Sequence, residues 1–284
     1  EESLYPFKIN AGGNERVYKT PRDAQITKIS LRREVNCEDL SNSFGQFYSN
    51  YFRSNQIPGG RPFFFFQMFN SYPETLKKIY ESMTKEAKSV GTSTSWWGLY
   101  SIQLAPPFIL KLDPSFNSSV TALARLPIPT TDDQQVPYSV LLETYGTHYV
   151  THVIVGGTAH VYTFVNQAFS NSSTFEEMST QVGNTGSSWF SQTNDLNRST
   201  SDSFRKNSNS FAVYQPPVVQ TVEGKTEYQS WLAYAPQEPV VVNRTLAPLS
   251  NLFYRYPQVQ AHLQRTIGYY LAKGDLPTLT QLQL

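Results

Sequence analysis

The sequence predicts an α+β fold, in which helices and strands occupy separate stretches of the chain. Residues 44–52 and 71–90 carry apolar side chains at helical spacing, whereas residues 147–165 form the longest β-like run. Shorter stretches with alternating polar and apolar side chains, at 29–35 and 100–104, predict further strands. Segregated helices and strands, without a regular βαβ alternation, are typical of α+β domains.

Length and charge set the first limits on function. The chain has 284 residues, enough for one large domain with a sizeable core, and we expect a single domain over 1–284 without repeats or linkers. Its 23 basic and 22 acidic residues give a formal charge of +1 without blocks of like charge, which argues against binding nucleic acid. No stretch approaches ~18 consecutive apolar residues, so a membrane-spanning helix is not expected, nor is a signal peptide.

Cysteine usage and glycosylation sequons bear on the compartment. Cys37 is the only cysteine, so it cannot form an internal disulfide. A buried thiol is the favoured interpretation, and an interchain bridge is the alternative. The triplet Asn-x-Ser/Thr, the acceptor for N-linked glycans, occurs at Asn117, Asn171, Asn197 and Asn243. Together these sequons predict a secreted, extracellular glycoprotein of eukaryotic type.

Two helices are expected in the first third of the chain. The first should begin at Phe44 and stop at Pro58, where proline and glycine follow. The second should begin with the capping box at 71–74 and end at Gly91. Residues 40–90 are therefore expected to be largely helical.

Between these helices lies the most apolar window of the sequence. Aromatic residues dominate protein interiors, so burial is the favoured interpretation of this window. Contact with a membrane or a partner is the alternative. The candidate contact residues are Phe63, Phe64, Phe65, Phe66 and Phe69.

The middle of the chain is expected to alternate between strands and a polar connection. The strand at 100–104 should end at Pro106, and a polar, proline-rich connection then leads to a short helix over 138–145. Gly146 should end this helix. The long β run follows, and its main interruption is a glycine pair that permits a bend.

The last third of the chain begins with a strongly polar stretch. Residues 166–210 are rich in Ser, Asn and Thr and are expected to be mobile or loosely packed. Strand character should resume at 211–214. Near the C-terminus, Pro257 should open a helix over 257–273.

The patterns that resemble catalytic motifs each lack a residue or a geometry that the chemistry requires. His148 and His152 have the spacing of a zinc-binding helix, but Tyr149 replaces the catalytic glutamate and the surrounding residues favour a strand. On a strand the two imidazoles would be about 13 Å apart, too far to share one zinc ion. Lys225 lacks the glycine-rich turn of a phosphate loop, and no nucleophile motif surrounds Cys37. We expect no catalytic residue, no metal and no cofactor, hence no enzyme.

Residues 145–157 carry a family resemblance. An aromatic residue, Gly, Thr, His and a second aromatic residue are followed, after six residues, by Gly-Gly. This pattern resembles the signature of the membrane-attack-complex/perforin and cholesterol-dependent cytolysin (MACPF/CDC) superfamily. By chance, all seven fixed positions would match in far fewer than ~1 in 1000 sequences of this length. The matching residues are Tyr145, Gly146, Thr147, His148, Tyr149, Gly156 and Gly157.

The resemblance implies a bent and twisted four-stranded antiparallel sheet flanked by two helical clusters, at about 40–95 and 166–210. It covers roughly residues 24–280. In such a fold His148 would be a structural hydrogen-bonding residue that helps to tie a helix end to the sheet, and the glycine pair would let the sheet bend. The other implied strands lie near 25–36, 98–112 and 211–222.

The resemblance also implies partners, which are a membrane surface or extracellular matrix, an unidentified protein ligand or receptor, and further copies of the chain. In pore-forming members the helical clusters unfurl into membrane-spanning hairpins, whose strands of ~9–11 residues need an apolar outer face. Alternate residues from Met178 read Met-Thr-Val-Asn-Gly-Ser-Phe on one face and Ser-Gln-Gly-Thr-Ser-Trp-Ser on the other. Neither face suits lipid, and the sequon at Asn197 lies in the same segment.

The sequence therefore predicts two candidate functions, of which the first is favoured. The first is a secreted, non-lytic member of the family, acting at a membrane or matrix surface in developmental or receptor signalling. The alternative is a perforin-like pore-forming effector or toxin that oligomerises on target membranes.

Overall fold

The computed structural model describes most of the chain. The predicted contact residues among Phe63–Phe69 and the sequon at Asn197 lie outside the described residues. The described residues are 6–11, 14–19, 23–54, 73–191, 200–218, 220–273 and 282.

A bent antiparallel sheet forms the centre of the protein. Its long strands are β3 (Ala24–Ser41), β4 (Lys88–Leu104) and β5 (His148–Asn166), which pair in that order. The next position is shared by two shorter strands, β6 (Ser208–Gln215) and β7 (Val240–Pro248), which pair with opposite halves of β5. The predicted four-stranded antiparallel sheet is thus confirmed, with its fourth strand in two pieces.

Helices surround this sheet, and a separate antiparallel hairpin is formed by β1 (Pro6–Ala11) and β2 (Asn14–Lys19). The helices are α1 (Phe44–Ser54), α2 (Pro73–Thr84), α3 (Pro114–Arg125), α4 (Asp132–Tyr145), α5 (Gln167–Asn171), α6 (Phe175–Phe190), α7 (Asp202–Asn207), α8 (Glu227–Tyr234), a 3₁₀ helix (Leu249–Phe253) and α9 (Pro257–Lys273).

The half of the sheet that contains β6 is covered on both faces. Successive residues of a strand point to opposite faces. On one face, which we call the α1 face, Tyr162 and Phe164 pack with residues of α1 and α2. On the other, which we call the α6 face, Val161 and Val165 pack with residues of α6, α7 and α8. The buried helical residues on these faces are Phe47, Ile79 and Met83 on the first, and Met178, Val182, Phe190, Phe204, Tyr228 and Trp231 on the second.

A second core lies among the helices at the other end of the sheet. Residues of α3, α4, α9 and the 3₁₀ helix form it around Tyr138 and Leu263, both fully buried. A polar contact within this core joins α9 to α4. His262 Nε2 lies 2.6 Å from Gln135 Oε1. Gln135 also donates to Thr266 Oγ1 at 3.2 Å.

The first helical cluster is shorter than expected. It ends at Thr84, and β4 already begins at Lys88, so the predicted helix to Gly91 and the cluster boundary near residue 95 are wrong. Ala87 has a φ of 50°, which breaks the helical path before Val90. Ala87 and Val90 continue the helical spacing of α2 only by coincidence. Val90 belongs to β4, where the residues next to it are small.

The polar connection expected around residue 117 is also wrong, because α3 occupies it. Asp113 caps this helix, accepting from the backbone N–H groups of Ser115 and Phe116, and Pro114 lies in the first turn. Helix α4 begins at Asp132 and continues through Pro137, six residues earlier than the predicted start. Asp113 and Pro114 are signals of a helix start in the sequence. The polar residues on the exposed side of α3 nevertheless made this segment resemble a loop.

The prediction of a mobile or loosely packed stretch at 166–210 is wrong for its described residues. Thr174 and Glu177 form a capping box at the start of α6, and Met178 and Val182 bury against the sheet. The expected strand to residue 222 ends at Gln215, since two prolines follow. Helices α5, α6 and α7 lie within 166–210, where the family resemblance implied a second helical cluster. The local pattern alone did not indicate them, because only a few of their residues are apolar.

Burial of His262 predicts a pH-dependent stability. Burial, helped by the nearby charge of Arg265, lowers the pKa of His262 below its ordinary value. Unfolded histidine has a pKa of about 6.5, so stability is full above that pH and falls below it, where the unfolded chain binds protons first. We expect the loss of stability between pH 7.5 and 5.5 to shrink in His262→Gln. Urea unfolding at both pH values measures this, with His152→Gln as the matched control.

Candidate functional site

The signature begins where α4 ends. Gly146 has a φ of 79°, a left-handed conformation that favours glycine, and its N–H donates to the carbonyl of Leu142 at 2.9 Å. The carbonyl of Thr147 then accepts from the N–H of Leu249 at 2.8 Å. The backbone of the signature thereby joins α4 to the 3₁₀ helix.

Side chains of the signature fix the same junction. The Tyr145 ring meets Phe116 edge-on at 4.8 Å, and its hydroxyl lies 3.3 Å from Ser119 Oγ. Tyr149 packs against the helical core, and burial raises the pKa of its phenol. His148 Nδ1 lies 2.9 Å from Thr147 Oγ1, and burial lowers the pKa of His148, so the imidazole is neutral at pH 7. These contacts pack the signature into the junction between α4 and the 3₁₀ helix.

At the glycine pair, the backbones of β4 and β5 approach each other closely. A Cβ on Gly156 would lie 1.8 Å from the carbonyl oxygen of Trp97, and a Cβ on Gly157 would lie 2.7 Å from the Trp231 ring. Opposite Gly156, a Cβ on Gly98 would lie 2.7 Å from the Ile154 side chain, and the register of β4 shifts just after Gly98. We call Gly98, Gly156 and Gly157 the bend.

Helix α8 packs into the bend from the α6 face. Trp231 is fully buried against Gly157, and its indole N–H donates to the carbonyl of Gln215 at 3.3 Å. The Tyr228 ring lies 5.4 Å from that of Trp231 in a stacked arrangement. The shape of the bend therefore depends on α8 as well as on the glycines.

Helix α6 approaches the sheet closely through small residues. A Cβ on Gly186 would lie 2.3 Å from Ser93 of β4, and a Cβ on Gly91 would lie 2.5 Å from Val182. On β3, Cys37 Cβ lies 3.9 Å from the Cβ position of Gly183. The second helical cluster is thus fitted to the sheet by glycine and serine.

Arg32, on the edge strand β3, links the end of α6 and the start of α8 to the sheet. Its guanidinium donates to the Tyr228 hydroxyl and to the Glu34 carboxylate, both at 2.8 Å, and reaches the carbonyl of Phe190 at 3.5 Å. Ser95 Oγ lies 2.9 Å from the same hydroxyl. Burial raises the pKa of Tyr228, against the lowering effects of Ser95 and Arg32, so the phenol stays neutral. Strands β3 and β4, the end of α6 and the start of α8 meet here.

A second polar network lies on the α1 face. Thr94 Oγ1 donates to Glu38 at 2.7 Å and lies 3.1 Å from His160 Nδ1. Burial lowers the pKa of His160, and the Glu38 charge opposes this. The threonine stands between the acid and the imidazole, so this is not the arrangement of a catalytic triad, in which the imidazole is central.

The candidate metal and thiol chemistry finds no geometric support. His152 Nε2 contacts Ser101 Oγ at 2.8 Å, whereas His148 bonds to Thr147. In the part of the chain that the structure describes, no three His, Cys, Asp or Glu residues are grouped to hold a metal ion. Burial raises the pKa of the partly buried Cys37 thiol, a Ser179 hydrogen bond opposes this, and the Asp39 charge adds to it.

A cleft of about 690 Å³ lies between β3, α1 and α6. Two of its acidic side chains, Asp39 and Glu38, form hydrogen bonds within the protein. Asp39 accepts from Ser41 and from Asn50, both at 2.6 Å, and Glu38 accepts from Thr94.

Three of the four sequons lie on described residues, and all three asparagines are exposed. Asn117 lies on α3, Asn171 at the end of α5, and Asn243 in the middle of β7. Each is accessible to a glycan. No helix within the described ranges combines the length and hydrophobicity needed to cross a bilayer.

Comparison with known families assigns the chain. The MAC/Perforin domain profile matches residues 5–280. The chain therefore belongs to the MAC/perforin domain family. Among curated protein sequences, none matches it significantly.

Several solved structures align with the chain, and one of them aligns well enough to show the same fold. GNIP1Aa from Chromobacterium piscinae aligns with a TM-score of 0.61 at 15% identity, covering 96% of this chain and 51% of that one. The chain thus spans about half the length of GNIP1Aa. Astrotactin-2, a vertebrate-specific perforin-like membrane protein involved in neuronal development, aligns with a TM-score of 0.40 at 10% identity, over 93% and 40% of the chains. Pneumolysin also aligns with a TM-score of 0.40 at 10% identity, over 78% and 40%.

Some residues of this region were not predicted. Arg32 and Tyr228 are about two hundred positions apart in sequence, and no local pattern relates them. Gly183 and Gly186 are three residues apart, the spacing of one helix face, and this could have indicated close packing had the helix been recognised. Only the signature was visible in advance.

The bend predicts a sharp intolerance to side chains. We expect Gly156→Ala to lower the free energy of unfolding by about 3 kcal/mol or more, because the new methyl group meets a backbone carbonyl that cannot rotate away. Gly268→Ala in α9 is the matched control, since no atom lies within 4 Å of its Cβ position. The control should gain about 0.5–1 kcal/mol from helix propensity. Equal urea midpoints for the two variants would contradict the role of the bend.

Proposed function

We propose that this protein is a secreted, glycosylated member of the MAC/perforin family that acts at a membrane or extracellular matrix surface without perforating the membrane. Its role would be in developmental or receptor signalling, similar to that of the insect developmental factor Torso-like. Proteins of the family bind membranes, oligomerise and are not enzymes. The exposed asparagines of three sequons support the secreted character.

The polarity of the second helical cluster carries this proposal. If α6 became a strand, its two faces would be those that begin at Met178 and at Ser179, each dominated by Ser, Thr, Asn, Gln and Gly. In α7, alternation places Asp202 and Lys206 on one face and Arg205 on the other. Charges on the lipid face of a membrane strand cost about 2–4 kcal/mol near the midplane. A hairpin built from α6 and α7 would therefore insert poorly.

The packing of the cluster in the folded protein also supports this proposal. The apolar side chains Met178, Val182 and Phe204 are buried against the sheet. On unfurling they would leave this core and be separated by polar residues. The segment thus gains stability as a packed helical layer and gains little as a lipid-facing strand.

The alternative, a perforin-like pore-former that oligomerises on target membranes, is favoured by a different observation. The sheet beneath α6 is lined by small hydroxyl residues, among them Ser89, Ser93 and Thr163, all buried. On the opposite α1 face, and within the described residues, the buried hydroxyls of Thr92 and Thr158 have no hydrogen-bond partner. Unsatisfied buried hydroxyls cost about 1–3 kcal/mol each, so the helical layers are less firmly attached than in an ordinary apolar core.

Dye release from liposomes separates the two functions. Vesicles of zwitterionic, anionic and sterol-containing composition should bind the protein without leaking, and electron microscopy should show no rings. Co-sedimentation with the same vesicles reports binding independently of leakage. Efficient leakage at nanomolar protein would sink the non-lytic proposal, whereas absence of binding to every membrane would restrict the site of action to matrix or protein.

A disulfide across α6 and β3 tests whether α6 leaves the sheet during any leakage. Cys37 Cβ lies 3.9 Å from the Gly183 Cβ position, within the range of about 3.5–4.5 Å found in disulfides. Gly183→Cys should therefore form a bond with the native thiol. Gly183→Ser adds similar bulk without the bond and is the matched control. If the protein is lytic, oxidised Gly183→Cys should be inactive and recover on reduction. If it is non-lytic, both variants should bind membranes as the parent does.

A further inference from the structure

We propose that an N-linked glycan at Asn243 covers the unpaired edge of β7 and keeps this edge from pairing with a second copy of the chain. This role rests on the proposed secretion and glycosylation of the protein. Asn243 lies in the middle of β7, and its side chain is exposed. Among the described strands β7 pairs with β5 alone, so its other side is an unpaired edge of the sheet.

The sequence of β7 favours pairing with another strand. An unpaired edge offers its backbone N–H and C=O groups to any strand of suitable composition. The segment Val240–Leu246 contains three consecutive valines, a single charged residue at Arg244 and no proline. Every second residue from Val241 to Thr245 is exposed, and Val241 is 55% exposed. We therefore expect the bare edge of β7 to be a site of self-association.

The other edge strands are protected in ways that β7 largely lacks. Charges, irregular pairing, coverage and proline are the usual devices against pairing between sheet edges. Strand β3 carries exposed charges, among them Arg32, Arg33 and Glu34, and its pairing with β4 is irregular at two places. Of β6 only Asn209 is exposed, and two prolines follow the strand. Strand β7 has one irregularity, at Val242, and the sequon is the feature that distinguishes it.

A glycan at Asn243 is well placed to cover this edge. Residues two apart on a strand are separated by about 7 Å, so Val241 and Thr245 both lie within reach of the first sugars. N-linked glycans are bulky and hydrated, and they keep another backbone away from the strand that carries them. Asn117 and Asn171 lie in helices, so a glycan there has no strand edge of its own to cover.

Without the glycan, the product should be a closed dimer. The opposite edge of the sheet, β3, is charged and irregular, which disfavours pairing of β7 with β3 of another copy. Two identical β7 edges can pair antiparallel about a twofold axis, and this contact occupies both edges, so the assembly stops at two copies. Valines of the two strands would then pack against each other across the pair. The glycan therefore decides between a monomer and a dimer.

The test compares glycan-site variants of the full chain, secreted from a eukaryotic host and measured in solution without vesicles. Asn243→Gln and Thr245→Ala each remove the sequon, whereas Thr245→Ser keeps it and is the matched control. Asn117→Gln removes a glycan elsewhere and is the second control. Light scattering over a range of concentrations should show dimers for the first two variants and monomers for both controls. We expect loss of the glycan to tighten self-association about tenfold or more, since several cross-strand pairs form at once.

Two further measurements locate the contact at the edge of β7. Adding Val241→Lys to Asn243→Gln should restore the monomer, because a charge on an edge strand opposes pairing. Backbone hydrogen exchange in the dimer should slow in β7 and stay unchanged in β3. Circular dichroism and urea unfolding of each variant check that the fold is retained.

Three results would overturn this role of the glycan. Peptide mass spectrometry that finds Asn243 unmodified while Asn117 carries a glycan removes the proposed cover. An Asn243→Gln variant that stays monomeric shows that the edge needs no cover. A dimer that survives Val241→Lys, or that leaves exchange in β7 unchanged, forms at another surface. Leakage from liposomes contradicts the proposed non-lytic function without changing these readouts, so the two failures are distinguishable.

Discussion

The close approach of two backbones at the bend is the constraint on which the rest of the protein depends. At Gly156 the space that a Cβ needs is filled by the carbonyl of Trp97. The sheet bends at this close approach, and Trp231 packs into the bend. Trp231 in turn holds α8 against Gly157. Through Tyr228, the position of α8 then determines where Arg32 can bind. Glycine at a few positions thus controls contacts made by large side chains elsewhere.

The sheet is also unusual in what it offers to the helices that cover it. Buried Ser and Thr residues occupy positions along β4 and β5 that an ordinary core would fill with aliphatic side chains. Small residues allow helices to approach closely, but they bury little apolar area and leave hydroxyl groups to satisfy. The attachment of α6 therefore depends on a few apolar anchors and on directional polar contacts at its end. Such a layer has a lower opening free energy than the sheet itself.

The sequence predicted those features that depend on local pattern and missed those that depend on distance. Tyr145 to Gly157 lie within thirteen positions, so the end of a helix, a long strand and its bend were all visible. Gly98, by contrast, has no recognisable context until β4 is paired with β5. The segment around α6 was misjudged because burial through glycine and serine has the same composition as a loop. Asp113 with Pro114 was a readable helix start that the surrounding polar residues outweighed.

Ease of release and suitability for lipid are separate properties, and only the second distinguishes the two candidate functions. Small hydroxyl residues beneath α6 lower the free energy needed to detach it from the sheet, but detachment alone does not place a strand in a bilayer. Insertion needs an apolar face that compensates for leaving the core around Met178 and Val182. The residues of α6 provide that face in neither register. A detachable layer without a lipid face is better suited to exchanging contacts at a surface than to forming the wall of a pore.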